Sequence, residues 1–287
     1  MDCKKALVET DGNIEAAVDF LREKGLAKAA KKAGRIAAEG LVKIATAEDG
    51  KTAALVEVNS ETDFVSKNEE FVAFVDGLAK LALTAESNDI EAFKAMAFDG
   101  ATVQEALTAK IAKIGENMSI RRIEKVSGDV IASYIHGGGR IGVIVAAKTN
   151  VKNDAIEEAL KNIAMQVAAL NPKYVSDAEV SAEYIEHEKE ILKAQILADP
   201  KESQKPEKVI DGMINGRIKK ELKEVCLMDQ VYVKAEDGKQ TVAQYVDTVA
   251  KANGADLKVV KFVRFETGEG LEKKNEDFAA EVAAQLG

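Results

Sequence analysis

The sequence predicts an α+β protein, and three observations support this class. Apolar and polar residues alternate in short stretches, as in Val42–Ile44 and Val56–Val58, which is the period of strands with one buried face. Longer stretches carry apolar residues three and four positions apart, which is the period of amphipathic helices. The region from residue 40 also repeats at an offset of 88 residues, so that each copy is a β-hairpin followed by a helix. This pattern indicates duplicated antiparallel sheets, each with helices on one face.

Residues 1–36 are predicted to be a small helical module. A first helix covers Asp2–Glu9, and Asn13 is placed to cap a second helix that Gly25 ends. A third short helix is expected over Leu26–Ala33. These helices have too little apolar mass to bury a core alone. Either the module docks on the rest of the chain or a preceding helix is absent from this sequence.

Residues 37–126 are predicted to be the first core subdomain. The turn Asp49–Gly50 joins its two strands, and Ser66–Glu69 forms a capping box at the start of its helix. Glu57 is taken as an outward-facing residue, because it alternates with valines that face the core. Residues 85–126 join the two copies and are expected to be helical.

The second core subdomain is predicted over residues 127–178 and 229–266. Its hairpin turn is the glycine run Gly137–Gly139, and its helix covers about Asp154–Leu170. The strand Lys258–Phe265 is expected to return and complete its sheet.

Residues 179–228 separate the two parts of that subdomain and are predicted to form an antiparallel helical hairpin. Its helices cover Ser181–Ala198 and Pro206–Val225, and their apolar stripe is narrow, as in a coiled coil. Two interpretations stay open: a hairpin packed on the surface, or an arm for homodimerisation or for another partner. Residues 267–287 form a last module that ends in an amphipathic helix, Asp277–Leu286.

Composition limits the function. The chain has 287 residues and a net charge of −9, which argues against a general binder of nucleic acids or anionic membranes. Two cysteines, Cys3 and Cys226, and two histidines, His136 and His187, exclude a disulfide framework and argue against a Cys/His metal site. The first residues lack the apolar core of a signal peptide, and no apolar stretch approaches the ~20 residues that span a bilayer. A cytoplasmic protein without a bound cofactor is therefore expected.

A search for catalytic motifs finds no enzyme signature. The run Gly137–Gly139 lacks the Gly-Lys-Ser/Thr of a phosphate-binding loop, and no nucleophile is recognisable at a catalytic spacing from His136. Cys3 stands beside two lysines, which lower a thiol pKa, but an incidental cysteine is the simpler interpretation. Residues 22–43 carry seven basic and two acidic residues, which fits a solvated linker helix or a basic face that meets an acidic partner.

The segment Ser60–Val65 is the strongest candidate for a functional site. It lies between a predicted strand and the following helix, and it places Phe64 in a loop beside Asp63. The ring is either a hydrophobic staple on its own helix or an anchor presented to a partner pocket.

This turn and other stretches resemble the family of bacterial translation elongation factor Ts over essentially the whole chain. The stretches are Met1–Leu7 (MDCKKAL), Lys28–Gly34 (KAAKKAG), Thr62–Val65 (TDFV), Lys113–Asn117 (KIGEN), Ile120–Arg122 (IRR), His136–Gly137, Arg140–Val143 (RIGV) and Phe265–Gly270 (FETGEG). The resemblance implies a ubiquitin-associated-like helical module, a two-part α+β core, a protruding helical hairpin and a C-terminal helix. In the family a further helix precedes the MDCKK stretch, so the first helix of the module is expected to be missing here.

The resemblance also implies a non-catalytic function, which is the exchange of GDP for GTP on elongation factor Tu. The residues implied for disturbing the partner's Mg²⁺ site are Thr62, Asp63, Phe64 and Val65. Those implied for gripping another domain of the partner are His136, Gly137, Arg140 and Ile141. The last helix, near Phe278, is implied to hold the nucleotide-binding domain. The expected partner is elongation factor Tu in its GDP-bound and nucleotide-free states, with no direct contact to nucleic acid or membrane.

Two other classes of function stay open from the residues alone. One is a scaffold or adaptor that binds proteins through the helical hairpin and the basic opening. The other is a hydrolase that uses His136.

Overall fold

The computed structural model describes residues 2–272 and confirms the α+β class. Within these residues the chain falls into two compact units. Unit 1 comprises residues 2–126, 135–142 and 265–272, and unit 2 comprises residues 127–134 and 143–264. The finer division into five modules stays a prediction.

The helices and strands of the first part of the chain run up to Ser127. In chain order they are α1 (Asp2–Glu9), α2 (Ile14–Ala30), β1 (Glu39–Thr46), β2 (Thr52–Ser60), α3 (Asp63–Ser66), α4 (Glu69–Ala82), α5 (Ile90–Ala95), β3 (Ala97–Phe98), β4 (Ala101–Thr102), α6 (Val103–Ile114) and β5 (Met118–Ser127).

The second part contains the repeated hairpin and the helical insertion. Its elements are β6 (Val130–His136), β7 (Ile141–Thr149), α7 (Asp154–Leu170), α8 (Ala182–Ala198), α9 (Glu207–Val225), α10 (Val242–Asn253) and β8 (Leu257–Glu266). No helix within residues 2–272 is long and apolar enough to cross a membrane.

In unit 1 the sheet has the order β1-β2-β5, and α4 packs on it. β1 and β2 are antiparallel, with Glu39 opposite Ser60 and Thr46 opposite Ala53. The core between sheet and helix is apolar. Its largest fully buried side chains are Phe71, Leu78 and Phe93.

The prediction that residues 85–126 are helical is correct for α5 and α6 and wrong for β5. The buried residues Ile120, Ile123 and Val126 are three apart, which imitates a helix. The period of two is lost because Arg121 and Arg122, which lie between Ile120 and Ile123, both contact the carboxylate of Glu57.

The predicted break at Gly25 is also wrong, because α2 continues through it to Ala30 and the expected third helix is absent from this stretch. A Cβ at Gly25 would lie 3.9 Å from Cβ of Ala112, so α2 packs closely on α6 at this point. Tertiary packing here outweighs the low helix propensity of glycine. The start of α2 is as predicted, because Asn13 Oδ1 accepts the Ala16 N–H at 3.1 Å.

In unit 2 the sheet has the order β6-β7-β8, as expected from the returning strand. α7 and α10 pack together, and α7 has the predicted bounds. The helical hairpin of α8 and α9 buries isoleucines between its helices, including Ile196 and Ile214. A hydrogen bond of 2.7 Å from Tyr184 Oη to Glu221 links the start of α8 to the end of α9, which shows that the two helices are antiparallel.

The two units repeat one order of elements, in which a hairpin is followed by a packed helix, a capped helix and a third strand. The capped helices are α6 and α10. Each begins with a capping box, from Thr102 in α6 and Thr241 in α10. Each ends at a glycine in the left-handed conformation, Gly115 and Gly254.

Candidate functional site

The turn after β2 presents an aromatic ring to solvent. Phe64 is 79% exposed, while the next residue, Val65, is 6% exposed and belongs to the apolar core. The staple interpretation of Phe64 is therefore wrong, because Val65 is the residue that anchors the turn. Because Val65 is buried, it supports the turn from the core and is not available for contact with a partner.

Local hydrogen bonds shape this turn. The N–H and the hydroxyl of Thr62 both donate to Glu116, at 3.0 and 2.7 Å. Ser66 Oγ donates to the carbonyl of Asp63 at 2.6 Å, and Lys67 Nζ lies 2.6 Å from the Asp63 carboxylate. These contacts close the single helical turn of α3.

The predicted capping box at Ser66 is wrong by two residues. α4 begins after Asn68, whose Oδ1 accepts the N–H groups of Glu70 and Phe71 at 3.0 and 3.2 Å. Ser66 is committed to α3, so Asn68 takes the role of N-cap.

The tip of the second hairpin, residues 136–141, exposes His136, Gly137 and Arg140 and half-buries Ile141. Its glycines have φ values of +58°, +66° and +107°, which other residues adopt only with strain. The third of them, Gly139, accepts the Val42 N–H at 2.7 Å. These backbone contacts fix the tip within unit 1.

Residues from both the first and the second group of predicted residues line one cavity of about 270 Å³ within unit 1. Asp63 and Lys67 of the turn line it together with Gly137, Gly138 and Arg140 of the hairpin tip. The structure thus brings together residues that are more than 70 positions apart in sequence. Phe278, the residue predicted from the last helix, lies outside the described residues.

Comparison with known proteins identifies the family. Residues 61–269 match the family described as Elongation factor TS. Elongation factor Ts of Clostridium botulinum (strain Eklund 17B / Type B) is 54% identical over 290 residues, which cover 100% of this chain and 94% of the relative. Elongation factor Ts of Clostridioides difficile (strain 630) is 54% identical, covering 100% of this chain and 93% of the relative. The chain belongs to the elongation factor Ts family. Its general role is therefore that of a translation elongation factor.

A buried charge cluster that the sequence analysis missed lies in unit 1, on the central strand β2. Glu57 is 0% exposed and accepts hydrogen bonds from Arg121, Arg122 and the amide of Gly268. The prediction that Glu57 faces outward is wrong, since β2 is the central strand and is buried on both faces. The sequence did carry a signal for this cluster. Glu57 is a charged residue between two valines, and two adjacent arginines, Arg121 and Arg122, occur later in the chain.

The cluster connects β2 and β5 to the hairpin tip. The guanidinium of Arg122 stacks over the ring of Phe265 at 4.2 Å and bonds to the carbonyl of Glu266 at 3.1 Å. One residue further, the Thr267 N–H donates to the carbonyl of Arg140 at 2.9 Å. The fully buried carboxylate of Glu57 thus supports a loop that holds the tip.

The described residues contain no group of three or more His, Cys, Asp or Glu side chains that could hold a metal ion. Burial raises the pKa of the Cys226 thiol to about 11, and nearby carboxylates such as Asp229 act in the same direction. That thiol is therefore protonated and unreactive at neutral pH. The exposed residues around the cavity suit binding to another protein.

Proposed function

We propose that this chain binds elongation factor Tu and accelerates the release of GDP from it, as a non-catalytic exchange factor in the cytoplasm. The observation that supports this most is Phe64, an exposed ring on a turn whose backbone is held on both sides. A rigidly held, exposed aromatic residue that follows a cavity-lining carboxylate, Asp63, is suited to be an interface hot spot. Membership of the elongation factor Ts family supports the same conclusion.

The proposed mechanism is differential binding. A factor that binds the nucleotide-free partner more tightly than the GDP-bound partner weakens GDP binding by the same factor. Each tenfold loss of GDP affinity requires about 1.4 kcal/mol of such preference. No bond is made or broken on this chain.

Each residue of the surface has a part in this proposal. The ring of Phe64 inserts between elements of the nucleotide-binding domain, and the carboxylate of Asp63 disturbs those that border the Mg²⁺ site. Mg²⁺ and its oxygen ligands hold the phosphates, so loss of the ion weakens the remaining phosphate contacts. Thr62 and Val65 hold the turn from behind.

The hairpin tip supplies the second contact, through His136, Gly137, Arg140 and Ile141, and the last helix near Phe278 supplies a third. Because Asp63 and Arg140 line one cavity, we propose that a single continuous surface receives the partner. Homodimerisation through α8 and α9 stays a separate prediction.

The test is the release of a fluorescent GDP from elongation factor Tu, followed by stopped flow. The chain is expected to accelerate release. Phe64→Ala is expected to reduce the acceleration by about 30-fold, the equivalent of the ~2 kcal/mol of a hot spot. Asp63→Ala is expected to reduce it less, because the aspartate already has Lys67 as a partner.

The control is Val233→Ala, which removes an apolar side chain that is 47% exposed in unit 2. It is expected to leave the acceleration unchanged. Unaltered acceleration by Phe64→Ala with intact partner binding would refute the wedge. Binding by the wild-type chain without any effect on GDP release would make it an adaptor.

A further inference from the structure

The segment Lys113–Asn117 is a family-like motif to which the proposed function gives no role. It follows α6, which ends at Gly115 in the left-handed conformation, with φ of +92°. The next residue, Glu116, is half-buried, and both its carboxylate oxygens bind Thr62. One side chain thus holds both the backbone and the hydroxyl of a residue more than 50 positions earlier.

Thr62 stands immediately before α3, the position where a threonine hydroxyl usually caps the helix. Here the hydroxyl donates to Glu116 instead, at 2.7 Å. Hydrogen bonds to an ionised carboxylate are shorter and stronger than neutral ones. The direction in which the turn leaves β2 is therefore fixed by a residue outside the turn.

The loop that carries Glu116 is itself braced. The Asn117 N–H donates to Glu61 at 2.6 Å, and the Asn117 side chain donates to the carbonyl of Arg35 at 2.7 Å. Lys32 Nζ donates to the carbonyl of Gly115. Glu116 therefore projects from a fixed backbone, as a group must if it is to position another.

The second repeat shows which contacts the fold requires where the capped helix ends and the third strand begins, which we call the corner. There the Asp256 N–H donates to Asn150 Oδ1 at 2.8 Å, which parallels the contact between Asn117 and Glu61. The residue that follows the terminal glycine is Ala255 instead of a glutamate.

The turns of the two repeats differ in the same way. Residues 150–153 lead directly from β7 to α7, so the second repeat has no counterpart of α3 or of its aromatic ring. The second repeat therefore closes this corner without a glutamate after its terminal glycine, and the carboxylate there is that of Asp129, which accepts the Thr149 N–H at 3.1 Å. Glu116 occurs in the repeat that carries the ring, and the other repeat folds with an alanine at this position.

We infer that Glu116 is a positioning residue for nucleotide exchange: it holds Thr62 so that the turn presents Phe64 in the orientation that the partner receives. This inference rests on the proposed function. If the turn is released, the competent orientation is populated for only a fraction of the time. The effective interaction with the partner falls by that fraction.

The experiment is a double-mutant cycle on GDP release, with Glu116→Ala, Phe64→Ala and the double variant. Glu116→Ala is expected to slow release about tenfold in the wild-type background, as expected if the competent orientation falls to about a tenth. In the Phe64→Ala background it is expected to change release less than twofold, because no ring is left to position. Loss of the same factor in both backgrounds would overturn the inference, since Glu116 would then act elsewhere.

Conservative variants separate positioning from general damage. Thr62→Ser retains both donors and is expected to restore most of the exchange rate that Thr62→Val loses. Glu91→Ala is the matched control, because it removes a carboxylate on α5 whose partner is Lys94. It is expected to have no effect.

Folding is checked by thermal unfolding, where Glu116→Ala is expected to lower the midpoint by only about 2–4 °C. If that variant fails to fold, Thr62→Val carries the same cycle, because it removes the hydroxyl bond and keeps the backbone bond. A wild-type rate in Glu116→Ala or Thr62→Val, with wild-type exchange intact, overturns the inference alone. A wild-type chain that does not accelerate GDP release overturns the proposed function and the inference with it.

Discussion

The two repeats place different residues at one fully buried position of their central strands. The first repeat has Glu57 there, and at the offset of 88 residues the second has Val145, and both are 0% exposed. The valine closes the face of its sheet by apolar packing. The glutamate instead binds Arg121, Arg122 and the loop amide of Gly268.

This difference shows how one fold supports two tasks. A buried charge is costly unless it is fully paired, so a carboxylate at this position requires several donors around it. One of those donors, the N–H of Gly268, belongs to the loop that holds the hairpin tip at Arg140, and the two arginines belong to β5. The apolar repeat is sufficient for a stable sheet, and the charged repeat builds a surface in addition.

The largest expected effect comes from making the repeats alike. Glu57→Val installs the residue of the second repeat and leaves Arg121 and Arg122, which are 25% and 29% exposed, without their common acceptor. We expect a loss of about 3 kcal/mol, the lower end for breaking a buried pair, because the arginines are partly solvated. The midpoint of thermal unfolding should fall by about 6–12 °C, which calorimetry measures.

Replacing the two arginines by methionine in the same variant should restore part of this loss, because no orphaned charge then remains. If Glu57→Val alone melts like the wild type, the cluster adds nothing to the apolar alternative, and the comparison fails.

A smaller effect is expected from the two hairpin turns. At Gly139, with φ of +107°, an added Cβ would lie 2.7 Å from Cδ2 of Leu41. Gly139→Ala should cost about 2–3 kcal/mol in strain and displacement and should weaken binding to the partner. Gly50→Ala, in the turn of the first hairpin with φ of +68°, should cost about 1 kcal/mol and leave binding intact.

Denaturant unfolding and titration calorimetry with elongation factor Tu measure the two properties. Equal losses of affinity in both variants would show that the tip of the second hairpin has no special part in binding.

The smallest effect is expected where the repeats agree. Thr102→Ala and Thr241→Ala each remove a capping hydroxyl, and each should cost about 1 kcal/mol, measured by denaturant unfolding. The stabilisation by the two capping boxes should respond differently to acid. The hydrogen bond from the Thr102 backbone lowers the pKa of Glu105 below its ordinary 4.5. The contribution of Glu105 is complete above pH 4.5 and is lost as pH falls through its lowered pKa, whereas Gln244 does not titrate. Clearly unequal losses at pH 7 would contradict the equivalence of α6 and α10.

Local sequence signals predicted most of the fold. The bounds of α7, the N-cap of α2 and the returning strand β8 all follow from residues close to each element in sequence. Two of the failures have a common cause in long-range contacts. Gly25 stays helical because α2 packs on α6, and the buried residues of β5 have a helix-like spacing because its arginines turn to Glu57.

The candidate site was predicted less completely. The motif around Phe64 marked the turn, but periodicity alone left its ring either buried or exposed. The cavity that joins Asp63 to Arg140, and the bonds from Glu116 to Thr62, depend on residues that only the folded chain brings together. A carboxylate in a loop carries no local sign of the residue it holds.

The ion pair between Asp63 and Lys67 has a consequence for the speed of encounter. The carboxylate is 54% exposed and already neutralised by its own lysine, so it projects little field into solvent. A partner cation that binds Asp63 would replace Lys67 as its ion-pair partner, so docking here adds little new attraction. Added salt should therefore screen both states alike, and this carboxylate contributes little to long-range steering.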